Sequence, residues 1–110
     1  MSKMTIELYN KIIDEQIEKC KSMITSKRNE YATDKTPTDN FNRAGMLLKQ
    51  RPTTGLSGVM AKHTISVYDM LYDHKRGADF TKEKWDEKIT DSINYLLLLQ
   101  VLLEEERMGK

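Results

Sequence analysis

Apolar residues recur along this chain at three- and four-residue steps, the spacing of one face of a helix, and no stretch alternates with the period of a strand. Over about residues 5–30, Ile6, Tyr9, Ile13, Ile17, Cys20 and Ile24 line one side while Asp14, Glu15, Glu18 and Lys21 occupy the other. The same count carries Lys27 and Tyr31 onto the apolar stripe, so polar groups enter the core side as the helix ends. Residues 33–40 read as a loop, because Pro37 excludes helix, and Thr38 or Asp39 can cap a short helix over about residues 40–49. Pro52 ends that piece, and Thr53 or Thr54 can cap a third helix over about residues 54–75, with Leu56, Val59, Met60, His63, Val67, Met70 and Leu71 on one arc. Gly77 closes it and Thr81 caps a fourth helix over about residues 82–107. The pattern predicts an all-α fold, three long helices and one short, in a single domain spanning residues 1–110.

The fourth helix changes character along its length. Trp85 and Ile89 lie on one side of its first turns, but from Ile93 onward Tyr95, Leu96, Leu97, Leu98, Leu99, Val101, Leu102 and Leu103 surround the axis. A helix apolar all round must be enclosed on every side, and three partners in a chain of 110 residues are too few to enclose it. The expectation is a helical bundle completed by a homo-oligomer.

Composition narrows the function. The 18 Lys and Arg against 17 Asp and Glu leave a net charge of +1, which argues against DNA or RNA binding by bulk charge. The apolar run of residues 93–103 is about half the roughly 20 residues a membrane span needs, so no membrane association is expected. A single Cys20, with no apolar leader before it, points to the cytoplasm and to a small core residue. Two histidines and one cysteine exclude the usual zinc sites, leaving carboxylates and hence Mg²⁺ or Mn²⁺ as the metal chemistry on offer.

Candidate chemistry concentrates on the last helix, where Glu87, Asp91, Asn94 and Leu98 follow at steps of four, three and four, one polar stripe running into apolar surroundings. A carboxylate facing a core needs a partner, a metal or a ligand. Asp69 on the third helix can join Glu87 and Asp91 as a metal set and as the catalytic acids, while Lys62 neutralises phosphate oxygens; pairing of Asp91 with Lys27 or Lys62 is the structural alternative. His63 belongs to the apolar arc, as a buried structural histidine or as part of a site beside Lys62. Lys27, Arg28 and Tyr31 gather near the reversal before Asn40, where free helix N–H groups complete an anion-binding corner. Gly-rich phosphate loops, GxSxG elbows and HExxH helices do not occur.

The segments KRNEYA, DNFNRAG, MAKHTISVYDML and EKITDSINYLLLL, spread over about residues 27–103, resemble the small helical proteins, frequent in bacteriophages, of the MazG-like or nucleotide-modification-associated type. Their wider group comprises all-α nucleoside triphosphate pyrophosphohydrolases. The resemblance implies helical dimers or tetramers, Mg²⁺ held by acidic residues of two helices, and hydrolysis of a nucleotide to monophosphate and pyrophosphate, with Asp91 as the aspartate that opens the apolar final helix. The catalytic group carries Glu-x-x-Asp where this chain has Lys88 three residues before Asp91, so Glu87 would have to substitute, and the third helix has no Glu-x-x-Glu. The expected function is therefore metal-dependent nucleotide hydrolysis. The alternatives are an oligomer that binds and sequesters a nucleotide or cyclic nucleotide with Lys27, Arg28, Tyr31, Lys62, His63 and Asn94, and a helical protein–protein adaptor.

Overall fold

Helical periodicity and scarce breakers give four helices in a computed structural model of the chain, which describes residues 3–31 and 37–109 and, for 29–31, the backbone alone. They are α1 (Ile6–Tyr31), α2 (Asp39–Leu48), α3 (Pro52–Lys75) and α4 (Lys82–Met108), and no strand occurs among the described residues. α4 packs on α3 and on α1, and α2 packs on α3 and touches α1. The fully buried side chains where they meet are Leu56 of α3 and Leu102 of α4, joined by Cys20 of α1 and Met70 of α3.

Backbone chemistry sets the helix ends. Gly77, with φ of 102°, takes the left-handed conformation past α3, and the Ala78 N–H donates back to the Asp73 carbonyl at 2.9 Å. Thr81 then caps α4, its hydroxyl accepting from the Lys84 N–H at 3.1 Å. The start of α3 differs from expectation. Neither Thr53 nor Thr54 caps it; Arg51 is the N-cap residue and Pro52 stands at the first helical position. Proline's fixed φ and missing N–H suit that place, whereas α2 has already ended at Leu48, with Lys49 as its left-handed C-cap.

Two adjacent glutamates near the end of α4 hold the other helix starts. Glu105 accepts from the Thr38 hydroxyl and, at 2.7 Å, from the Asn42 amide, and Glu106 accepts from the Thr53 hydroxyl at 2.8 Å. Thr38, at the N-cap of α2, thus spends its hydroxyl on α4 instead of capping its own helix. Both carboxylates lie at the positive ends of α2 and α3, which favours them there.

The α1 stripe is not a core face within the chain. Cys20 is buried and Ile24 half-buried, but Ile6 is 81 % exposed, Tyr9 58 % and Ile17 57 %, and every residue from 3 to 15 is exposed. Periodicity recorded a face meant for burial without specifying what buries it. The whole chain shares this deficit. Its radius of gyration is 17.0 Å, against about 13 Å for a compact domain of this length. Its accessible surface is 8841 Å², against about 6,300 Å² for a folded monomer of its mass.

The turn from α2 into α3 is the tightest point of the backbone. Gly45 is buried, and a Cβ there would lie 2.7 Å from the Gln50 carbonyl oxygen and 3.3 Å from Pro52 Cδ. That carbonyl is fixed because the Gln50 N–H donates to the Gly45 carbonyl at 2.9 Å and Lys49 sits in the left-handed region. Gly45→Ala should therefore lower unfolding stability by about 1–3 kcal/mol, the range for forced overpacking, in urea titrations. An alanine variant as stable as the wild type would show that this turn is looser than described.

Candidate functional site

The polar stripe of α4 faces a small cavity where three helices meet. Thr90 and Asn94 of that helix are buried and Asp91 is half-buried. The cavity, about 280 Å³, is lined by Lys27 with Met23 and Ile24 from α1, His63 from α3, and Asp91, Asn94, Tyr95 and Leu98 from α4. The imidazole of His63 lies against the Tyr95 ring, centroids 4.7 Å apart.

What distinguishes this cavity is how little of its polarity is satisfied. Asn94 is 7 % exposed, yet its Oδ1 has no hydrogen-bond partner among the described residues, and the same holds for the buried Nδ1 of His63. Neither Lys27 nor Asp91 has an ion pair within 4 Å among those residues. Buried polar atoms are nearly always paired, and each orphan costs about 1–3 kcal/mol. Two orphaned atoms and two unpaired opposite charges, contributed by three helices, thus line one cavity.

Beside it runs a wider, open cleft between α1 and α4, sharing Met23 and Asp91 with the cavity. Asp14, Glu15 and Glu18 line it from α1, and Glu83, Asp86, Glu87 and Asp91 from α4. Its floor is pinned by two interhelix contacts. Gln16 Nε2 donates to Thr90 Oγ1 at 2.8 Å, and Lys19 Nζ meets Asp86 Oδ2 at 2.6 Å. Lys82 adds a second ammonium to the same oxygen at 2.8 Å. Hydrogen bonds from Lys19 and then Lys82 hold the Asp86 carboxyl below the usual carboxylate range, and the bond to Asp86 raises Lys82 above its own.

The structure thus brings Lys27, His63, Asp91 and Asn94 together and leaves other expected residues apart. Glu87 is exposed and faces the cleft, Arg28 is exposed, and Lys62 and Asp69 lie on an exposed side of α3. At 100° per residue those last two stand more than a quarter turn from His63, which is why spacing alone grouped them wrongly. The Tyr31 side chain lies outside the described residues. Among the described residues no group of three or more His, Cys, Asp or Glu side chains gathers as a metal site, so Asp69, Glu87 and Asp91 do not form the expected ligand set for Mg²⁺ or Mn²⁺. The sequence reading missed Tyr95 and Met23 as cavity walls and the α1 carboxylates as cleft walls. The signal for the latter was present, because Asp14 and Glu18, like Glu83, Glu87 and Asp91, recur at four-residue steps on their helices.

Comparison with family models, curated proteins and solved structures finds no match for this chain.

Two predictions follow from the geometry. Replacing Asn94 with leucine removes an unsatisfied buried carbonyl, keeps the branched four-atom shape, puts the added methyl volume into the cavity and should raise stability by about 1 kcal/mol; a fall in Tm would mean that Asn94 is satisfied and structural. The contribution of Asp86, whose native pKa is lowered, is complete above its unfolded value near about pH 4 and is lost as the pH falls through the lower native value. The Tm gap between wild type and Asp86→Asn should be constant from neutral pH to about pH 5 and close below about pH 4. A gap that widens in acid would contradict the pairing.

Proposed function

We propose that this protein binds a nucleotide or nucleotide-derived small molecule in the cavity between α1, α3 and α4, and does so as a homo-oligomer. The observation that carries the reading is the coincidence of unpaired Lys27 and Asp91 with the orphaned Asn94 Oδ1 and His63 Nδ1 around one cavity. A ligand matching that cavity offers an anion or carbonyl to the ammonium, N–H donors to the carboxylate and carboxamide oxygens, and a flat ring for the Tyr95 side. A nucleobase with its sugar and phosphate supplies all three. The cavity volume sits near the lower end for small-molecule sites, which suits a base and leaves phosphates outside. The resemblance of residues 27–103 to MazG-like proteins supports the same ligand class. The surplus of exposed surface supports the homo-oligomer.

Binding fits the residues better than turnover does, because the acid set expected for a metal is not assembled. One observation favours hydrolysis as a second reading: Asp91 lines both the cavity and the acidic cleft. Phosphates reaching that cleft would be repelled unless a divalent cation entered with them.

A thermal-shift panel of nucleotides with and without Mg²⁺, followed by product analysis of each hit, tests both. At least one nucleotide should raise the Tm saturably, and Lys27→Ala and Asp91→Asn should each weaken its binding roughly tenfold or more, the cost of a lost charged hydrogen bond. Chemically intact ligand after incubation supports binding alone, and recovered monophosphate with pyrophosphate supports hydrolysis. If no nucleotide shifts the Tm, or both variants bind like wild type, the reading fails.

A further inference from the structure

The outward side of α4 carries a seam that the chain covers only in part. Ile89, Ile93, Leu96, Gln100 and Leu103 follow at steps of four, three, four and three, the spacing that sets side chains along one nearly straight helix face and repeats every seven residues. Ile93 is half-buried; the other four are exposed, Leu96 by 57 %. The neighbours of α4 touch its other sides, although Leu97 and Val101 there remain 44 % and 48 % exposed. α3 reaches it at Tyr95 and Glu106 through His63 and Thr53, and α1 reaches it at Thr90 and Asp86 through Gln16 and Lys19. At 100° per residue these two sets stand on opposite flanks, with Asn94 and Leu98 facing the cavity between them and the seam facing the other way.

We infer that this seam is the contact with a second copy of the same chain, packed face to face about a two-fold axis near Leu96 and Gln100. The inference rests on the homo-oligomer in the functional reading and not on its ligand. The chain exposes about 2,500 Å² more than a folded monomer of its mass, and a stable interface takes about 800 Å² from each partner. That surplus belongs to the whole chain, the α1 stripe included, and a dimer contact on the seam takes part of it. A second copy also suits the seam chemically. None of its five residues is charged, so nothing in it repels its like. Its single polar member, Gln100, carries both a donor and an acceptor, so the carboxamide of one copy satisfies that of the other and fixes their register. No described helix is long and apolar enough to cross a membrane, which removes lipid spanning as an explanation for so apolar a face.

The test is the oligomeric state of the full chain by sedimentation or light scattering over a concentration series, with helical content followed by circular dichroism. The wild type should have at least twice the monomer mass. Leu96→Lys should dissociate the seam contact and raise its dissociation constant at least a hundredfold. Leu48→Lys, on an exposed apolar position of α2 away from the seam, should not. Should Leu96→Lys lose its helical signal, crosslinking decides: in a Cys20→Ser background, Leu96→Cys should form a disulfide-linked dimer under mild oxidation, and Met46→Cys on exposed α2 should not. A wild type that stays monomeric at every concentration overturns both this contact and the homo-oligomer. An assembly that survives a folded Leu96→Lys, or a Leu96→Cys chain that does not crosslink, overturns the seam alone and moves the contact to another face, such as the α1 stripe.

Discussion

The long helices α1 and α3 are placed by what they pack against α4, and α2, which packs on α3, is tied to α4 by polar bonds at its start. α4 buries Leu102, meets α3 through Tyr95, meets α1 through Thr90 and Asp86, and receives the starts of α2 and α3 on Glu105 and Glu106. Such a helix must carry apolar residues on nearly all sides and still find partners for each polar residue it includes. Where partners exist, as for Thr90 with Gln16 and for Glu105 with Thr38 and Asn42, the polar groups pin neighbouring helices at a defined register. Where they do not, at Asp91 and Asn94, the mismatch is concentrated at one cavity.

On the proposed reading, that concentration is what separates a binding site from an imperfect core. A buried carbonyl oxygen without a partner destabilises the empty protein, and the same atom strengthens the complex with any ligand that can donate to it. Stability and recognition pull in opposite directions at Asn94 and His63. The pairs Lys19–Asp86 and Gln16–Thr90, a few residues away, are satisfied and serve structure. Lys27 and Asp91 are oppositely charged groups lining the same cavity from α1 and α4 that do not close into an ion pair within 4 Å.

Much of this organisation is legible in the residues because helix periodicity is a strong signal and its interruptions are chemically specific. Gly77 and Thr81 mark the turn between α3 and α4 through properties no neighbouring residue has, a tolerated positive φ and a capping hydroxyl. Pro52 opens α3 and does not close α2, which ends at Leu48 where Lys49 takes a left-handed conformation that its residue type does not announce. The cavity was legible where polar residues break an apolar stripe, as at Lys27, His63, Asp91 and Asn94. It was not legible where the clue was proximity in sequence: Lys62 adjoins His63 yet points elsewhere on α3, and Asp69 shares its side. Nor can periodicity say whether a stripe is covered by its own chain, which is why the α1 face of Ile6, Tyr9 and Ile17 is exposed despite its regular spacing.

The central claim is that Asn94 and His63 are held unpaired to receive a ligand, and side-chain nitrogen NMR reads those two residues directly. On titration with a nucleotide that binds, the Asn94 carboxamide resonances and the His63 imidazole nitrogens should move together and saturate with one dissociation constant, with the Lys62 side-chain nitrogen unaffected. If the ligand saturates the protein while both residues keep their resonances, the cavity is not its site and the account is wrong.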